Sequence, residues 1–171
     1  NPQIENNNID AKNIRTQNRA IPSGKLDANW ALLIITITAL VFIMSSFAFN
    51  ISTGILSIPL LLILTIYSLT KHISYLCHLY LGFCLALAPI GAHIALFSTA
   101  PSFLYLLAVA IMCWVAGFDI IYAIQDTSFD KKEGLHSFPV KFGQQKSLLF
   151  SKILVAIMII CLFSIGYLLN K

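Results

Sequence analysis

Residues 30–49 read WALLIITITALVFIMSSFAF, a run in which no side chain carries a formal charge. Further apolar runs of comparable length follow it along the chain. About 20 apolar residues are enough for a helix to cross a hydrocarbon core of about 30 Å. Because lipid offers the backbone no hydrogen-bond partner, such runs are expected to be helices rather than strands. The runs are Trp30–Phe49, Ile51–Thr70, Ile73–Phe97, Pro101–Ile124 and Leu148–Leu169. The sequence therefore predicts an all-α, polytopic transmembrane helical bundle.

Charged residues are scarce and unevenly distributed. Of the 171 residues, 58% are hydrophobic and only 11% are charged, whereas about a quarter of the residues in a soluble domain are charged. Between Asp27 and Asp119 the only formal charge is Lys71. The alternative interpretation is a buried helical core of a soluble complex, which consecutive runs of bilayer length disfavour.

The cysteines and the intramembrane histidines form no recognisable metal or redox motif. No CxxC pair is present, so the cysteines are interpreted as small buried hydrophobic residues. His78 and His93 lie within the third run and His72 at its edge, where packing or hydrogen bonding between helices is the favoured interpretation. The cysteines are Cys77, Cys84, Cys113 and Cys161.

Two polar segments, residues 1–28 and 125–147, carry most of the charges. Counting the crossings between them places both segments, and Lys71, on one face of the membrane. The opposite face has only short uncharged links. The positive-inside rule predicts that the charged face is cytoplasmic. The basic residues that decide this are Lys12, Arg15, Arg19, Lys25, Lys131, Lys132, Lys141 and Lys146. We expect these segments to be the two cytoplasmic loops of a single domain over residues 1–171.

The end of the fourth apolar run and the start of the second polar segment, residues 117–130, read GFDIIYAIQDTSFD. If the fourth helix continues through this stretch, Asp119, Tyr122, Asp126 and Asp130 share one face at intervals of three, four and four. Carboxylates one turn apart repel each other unless a hard cation such as Mg²⁺ lies between them. A solvated helix end with a chance run of acids is the alternative, and spacing alone does not choose.

The first polar segment repeats this combination of acids followed by bases. Asn6 and Asp10 are one turn apart if the segment is helical, and Arg15 and Arg19 follow them. Guanidinium groups bind phosphate oxygens in a bidentate fork. Taken alone, this segment is better interpreted as an ordinary cytoplasmic loop.

Lys71 is a functional candidate because a charge inside an apolar region is costly and needs a partner. Tyr67 precedes it by one helical turn. The alternative is a lysine at a span end that extends to the interface. Carboxylates, basic residues and apolar helices together suit a ligand with a charged diphosphate head and a long apolar tail.

Three elements resemble the UbiA family of membrane prenyltransferases. Residues 117–143, GFDIIYAIQDTSFDKKEGLHSFPVKFG, resemble its second aspartate-rich signature, and residues 9–26, IDAKNIRTQNRAIPSGKL, resemble the end of its first. Tyr67 and Lys71 match its YxxxK element. Residues 68–95 are similar to the 4-hydroxybenzoate polyprenyltransferase-like branch, some of whose members serve menaquinone synthesis.

The resemblance implies nine helices around a central cavity, of which the chain has helices three to seven. The chain begins without methionine in a polar segment and ends directly after an apolar run. We therefore expect a piece of a longer protein, incomplete at both ends and without a signal peptide.

The resemblance also implies a reaction. A polyprenyl group passes from polyprenyl diphosphate to an aromatic acceptor in respiratory quinone synthesis, in the bacterial inner membrane, with Mg²⁺ as cofactor and with no nucleic-acid partner. Asp119 or Asp126 assists ionisation of the acceptor hydroxyl, and the sequence does not choose between them. The implied catalytic residues are Asp119, Asp126 and Asp130; the diphosphate ligands are Arg15, Arg19, Lys71 and Tyr67; the metal ligands are Asn6, Asp10, Asp126 and Asp130.

The sequence departs from the family pattern near its start. Asn6 stands where the family has an aspartate, Pro2 where it has an asparagine, and Ala20 where it has a proline. An asparagine oxygen contributes no charge to a metal site, so a catalytically impaired member is one alternative. A transporter that uses loop carboxylates is another, although it predicts acids at midplane depth. A CDP-alcohol phosphotransferase is disfavoured because its DGxxAR element is absent from the sequence.

Overall fold

The computed structural model describes residues 9–97 and 99–170. Five long helices in it satisfy the length and apolarity of membrane spans, which confirms the predicted bundle class. The helices from Ala28 onward are α1 (Ala28–Phe49), α2 (Ile51–Ile73), α3 (Cys77–Phe97), α4 (Ser102–Ile124), α5 (Thr127–Lys132), α6 (Phe138–Phe142) and α7 (Gln144–Leu169). The short helices α5 and α6 lie in the second polar segment.

The chain divides into two compact units, Asn1–Leu61 and Leu62–Lys171. In the first unit, the Asp27 carboxylate accepts a hydrogen bond from Asn29 N at 2.7 Å and caps α1. Asn50 Oδ1 accepts from Thr53 N at 2.8 Å and so satisfies a donor of the first turn of α2. Both interactions stabilise helix starts whose N–H groups otherwise lack partners.

In the second unit, α4 packs between α3 and α7. Gly82 of α3 lies so close to the Met112 carbonyl of α4 that a Cβ atom there would clash with backbone. Small residues of this kind allow close helix approach in lipid. Ser151 Oγ of α7 donates to the Gly117 carbonyl of α4 at 2.8 Å. The core between these helices consists of Cys113, Ala116, Ile120 and Leu154.

Large apolar side chains remain exposed along the helices. Met44 is 72% exposed and Phe163 is 77% exposed. A soluble protein rarely leaves so much apolar surface uncovered, whereas lipid accommodates it. All four cysteines are buried and free, as the sequence predicts.

Candidate functional site

The second polar segment does not continue α4 as one helix. The amides of Gln125 and Asp126 bond to carbonyls three residues back, Tyr122 O at 3.2 Å and Ala123 O at 3.1 Å, which tightens the last turn. Asp126 has φ −94° and ψ 1°, and α5 begins only at Thr127. The condition for a shared helical face, one continuous helix through Asp130, is not met, because the tightened turn at Gln125 and Asp126 interrupts the helix.

Asp130, in α5 after this turn, lies in contact with Lys71. Lys71 Nζ lies 2.8 Å from Asp130 Oδ1, and the Asp130 side chain is 1% exposed against 38% for Lys71. The two segments are also joined through backbone, because His136 N donates to the Lys71 carbonyl at 2.8 Å. The crossing argument that put Lys71 beside the second polar segment is confirmed by these contacts.

Two buried polar atoms near this turn lack a hydrogen-bond partner within the described ranges. They are Asp130 Oδ2 and Ser137 Oγ. An unsatisfied carboxylate oxygen is costly to bury, and it is also the ligand type that a hard cation prefers. Asp130 therefore fits a role as one ligand of Mg²⁺. Within residues 9–97 and 99–170, no group of three or more His, Cys, Asp or Glu side chains is close enough to hold a metal ion.

The predicted metal and acceptor residue Asp126 sits directly before α5. Asp126 is 7% exposed, and its carbonyl accepts a hydrogen bond from Asp130 N at 2.8 Å. This bond makes Asp126 part of the first turn that presents Asp130.

Asp119 contacts His78, a histidine for which the sequence predicted only packing or hydrogen bonding between helices. His78 Nδ1 of α3 lies 2.7 Å from Asp119 Oδ2 of α4, and the side chains are 4% and 25% exposed. On the other side of the ring, Phe138 N donates to His78 Nε2 at 3.3 Å. Hydrogen bonding between helices is thus confirmed for His78. Its partner is 41 residues away in sequence, so no local pattern could have identified it.

Tyr67 lies on α2, one turn before Lys71. The second unit therefore contains five of the residues predicted from sequence, and in it Lys71 pairs with Asp130 and His78 pairs with Asp119.

Aromatic contacts hold the end of the second polar segment. Phe138 of α6 stacks on Phe150 of α7 with centroids 4.7 Å apart. Lys141 Nζ lies 3.4 Å from the centroid of the Tyr75 ring, a cation–π contact. Sequence reasoning interpreted Lys141 only as a topology signal, because Tyr75 follows a different helix.

The predicted residues of the first polar segment lie in the first unit. Arg19 Nη1 and Asp10 Oδ2 are 3.1 Å apart, and both side chains are partly or largely exposed. Arg15 N donates to Asn13 Oδ1 at 3.0 Å. Asn6 lies outside the described residues.

The similarity to known proteins covers nearly the whole chain. The model of the UbiA prenyltransferase family matches residues 3–170. The chain belongs to this family. A UbiA homologue from Aeropyrum pernix K1, solved in its apo form, matches with a TM-score of 0.87 at 27% identity, over 96% of this chain and 64% of that one.

Two curated relatives illustrate the similarity at sequence level. The 4-hydroxybenzoate octaprenyltransferase of Nitrosomonas eutropha is 31% identical over 136 residues, which is 80% of this chain and 48% of the relative. The enzyme of the same name from Yersinia enterocolitica is 27% identical over 156 residues, 91% of this chain and 54% of the relative. The chain thus spans about half the length of these UbiA-family relatives.

Proposed function

We propose that this protein transfers a polyprenyl group from a polyprenyl diphosphate to an aromatic acceptor similar to 4-hydroxybenzoate. The observation that carries the proposal is the Lys71–Asp130 pair, with Nζ and Oδ1 2.8 Å apart, at the end of a long apolar helix. Membership of the UbiA prenyltransferase family and the names of the curated relatives support the same reaction.

The distribution of charge in the second unit suits such a donor. Lys71, near the end of α2, pairs with Asp130, and Asp126 follows the end of α4. The only other formal charge within α2 and α4 is Asp119. A diphosphate head would lie at the charged end, where the Lys71 ammonium can donate charge-assisted hydrogen bonds to its oxygens. The prenyl tail would lie along apolar side chains. Membrane lipid is the proposed partner of the lipid-facing surfaces of the helices.

Mg²⁺ is the proposed cofactor, and Asp126 and Asp130 are its proposed ligands in the second unit. In the first polar segment, the proposed Mg²⁺ ligands are Asp10 and Asn6. Arg15 and Arg19 are proposed to bind the diphosphate. When bound, Mg²⁺ supplies electrostatic stabilisation of the leaving diphosphate. Asp130 contributes a carboxylate whose second oxygen has no hydrogen-bond partner within the described ranges.

The transfer breaks the allylic C–O bond, and the electron pair leaves with the diphosphate. The aromatic ring then forms a C–C bond to the allylic carbon, and a ring proton is lost. Tyr67 and Lys71 stabilise the departing negative charge through hydrogen bonds. Apolar helices exclude water, which would otherwise react with the allylic cation.

Asp119 is the better placed of the two proposed acceptor residues. One of its oxygens bonds to His78, and the side chain is 25% exposed, whereas Asp126 is 7% exposed. Asp119 therefore has an oxygen that can accept a hydrogen bond from the acceptor hydroxyl. This contact makes the ring more electron-rich as the new bond forms.

A transfer assay tests the proposed function. The intact protein in lipid nanodiscs receives Mg²⁺, a polyprenyl diphosphate and a panel of hydroxylated benzoates and naphthoates, and mass spectrometry identifies the products. We expect an acceptor whose mass increases by one prenyl group less one hydrogen, and the preferred ring distinguishes ubiquinone-type from menaquinone-type synthesis. Release of diphosphate without a prenylated ring, for every acceptor, would contradict the proposal.

The proposed location is the bacterial inner membrane with the charged segments in the cytoplasm. The lysine and arginine bias of those segments supports this orientation. A single cysteine introduced at Lys132, in an otherwise cysteine-free protein, should be protected from an impermeant thiol reagent in intact cells. Labelling from outside would contradict the orientation.

A further inference from the structure

His78 is a buried polar side chain with both ring nitrogens engaged. Nδ1 lies 2.7 Å from Asp119 Oδ2, and Nε2 accepts from Phe138 N at 3.3 Å. The side chain is only 4% exposed. A polar ring at such depth requires partners for both nitrogens, and it has one on each of two different elements, α4 and α6.

These two contacts define the protonation of the ring. A backbone N–H can only donate, so Nε2 must be the unprotonated nitrogen. The ring proton is therefore on Nδ1 and points to the Asp119 carboxylate. The orientation of the imidazole is fixed by the backbone at the start of α6.

The consequence for Asp119 is an asymmetric carboxylate. Oδ2 is occupied by the Nδ1–H bond, and Oδ1 has no hydrogen-bond partner within the described part of the chain. A carboxylate held by one oxygen has a restricted rotation about its side-chain bonds. Its other oxygen then occupies a defined position.

We propose that His78 is a positioning residue that holds Asp119 Oδ2 and so presents Oδ1 to the hydroxyl of the aromatic acceptor. This inference rests on the proposed function, because it gives Asp119 its acceptor role. The Phe138–Nε2 bond serves the same purpose indirectly, since it sets the ring tautomer. His78 itself touches neither substrate.

Two substitutions separate the contacts of the ring. In His78→Asn, the amide nitrogen occupies about the place of Nδ1 and can still donate to Asp119. In His78→Gln, the amide reaches about the place of Nε2 and can accept from Phe138 N, but it no longer reaches Asp119. The intact protein carries each substitution, and steady-state kinetics varies donor and acceptor separately.

We expect His78→Gln to lower kcat about 10- to 100-fold, the range for losing one charge-assisted hydrogen bond, with the donor KM unchanged. His78→Asn should recover most of this loss, to within about three-fold of wild type by the same reasoning. In an Asp119→Asn background, His78→Gln should cause little further loss, because the pair acts as one unit.

The opposite order would overturn the inference. If His78→Asn is the impaired variant and also unfolds at lower temperature, the ring acts by docking α6 and not through Asp119. Equal kcat values in all variants, or fully additive losses with Asp119→Asn, would overturn it as well.

A spectroscopic readout is independent of turnover. Nitrogen-15 NMR of histidine-labelled protein, with His78→Asn to assign the signal, should show a protonated Nδ1 and an unprotonated Nε2. Protonation at Nε2 would overturn the positioning role whether or not the protein is active. If wild-type protein prenylates no acceptor while Nδ1 is protonated, the proposed function fails and the His78–Asp119 geometry stands.

Discussion

Two ion pairs in this chain join similar groups in different surroundings. Arg19 and Asp10 meet at 3.1 Å with side chains 58% and 35% exposed, whereas Lys71 and Asp130 meet at 2.8 Å with Asp130 only 1% exposed. An exposed pair contributes about 0–1 kcal/mol to stability. Removing one partner of a buried pair costs about 3–5 kcal/mol. An ion pair between a basic side chain and a carboxylate is thus a weak surface contact in the first unit, and it stabilises the fold in the second.

This difference indicates which predicted residues can be removed without disturbing the structure. Substitutions in the exposed pair should affect ligand handling alone. Substitutions in the buried pair should affect stability and ligand handling together, because Asp130 interacts with both Lys71 and the proposed cation.

The largest effect is expected for Asp130→Asn. It keeps the shape of the side chain but removes the buried negative charge, so transfer should fall at least about 100-fold through loss of electrostatic stabilisation of the leaving group. Turnover at limiting Mg²⁺ measures this loss. Glu133→Gln removes an acid from the same segment and should retain activity. We expect Asp126→Ala to be comparably inactive. A decrease in turnover of only a few-fold in Asp130→Asn would contradict the assignment of Asp130 as a metal ligand.

The next effect is expected for Lys71→Met, which leaves the Asp130 charge buried without its partner. Stability without Mg²⁺ should fall by about 3 kcal/mol, the lower end of the range for a broken buried pair, because Lys71 is partly exposed. The donor KM should rise about 10-fold while the acceptor KM is unchanged. Detergent-unfolding curves and two-substrate kinetics measure both, and the exposed Lys131→Met is the control.

The double substitution Lys71→Met with Asp130→Asn tests whether the stability loss comes from the unpaired Asp130 charge. Removing both charges should restore part of the stability that Lys71→Met alone loses, because no unpaired charge remains buried. Unchanged stability and unchanged donor kinetics in Lys71→Met would show that the lysine merely extends to the interface.

A smaller effect is expected for Arg19→Met in the exposed pair. The free energy of unfolding should change by less than about 0.5 kcal/mol. The donor KM should still rise about five-fold if the guanidinium binds diphosphate. Lys25→Met removes a neighbouring positive charge and serves as the control. A stability loss as large as that of Lys71→Met would contradict the contrast between the two pairs.

The smallest effect is expected for Ser137→Ala. The Ser137 hydroxyl is buried without a hydrogen-bond partner among the residues described, so its removal should stabilise the protein by up to about 1 kcal/mol. Transfer should stay within about two-fold of wild type. Thermal unfolding and turnover measure the two quantities, and a marked loss of turnover would assign Ser137 a ligand instead.

The membrane spans could be predicted because apolar length is a local property of the sequence. Every run from Trp30 to Leu169 became a helix with bounds within a few residues of the prediction. The clustering of Lys71 with the second polar segment followed from counting crossings. Neither inference required knowledge of how side chains pack.

The particular partners could not be predicted because they depend on packing between distant segments. Lys71 and Asp130 are 59 residues apart, and the turn at Gln125 and Asp126 decides which acid reaches the lysine. The spacing of the acids puts them on one face only if α4 continues through Asp130, and the turn at Gln125 and Asp126 interrupts it. For His78 the sequence indicated packing or hydrogen bonding between helices, but nothing in it identified Asp119 as the partner.

Asp130 is the carboxylate that we propose Lys71 and a bound cation share. Titration of the intact protein with Mn²⁺, followed by electron paramagnetic resonance, tests this directly. We expect binding to wild type, at least about 10-fold weaker binding to Asp130→Asn, and tighter binding to Lys71→Met, because the lysine no longer competes for the carboxylate. Equal Mn²⁺ affinity in all three proteins would contradict the account.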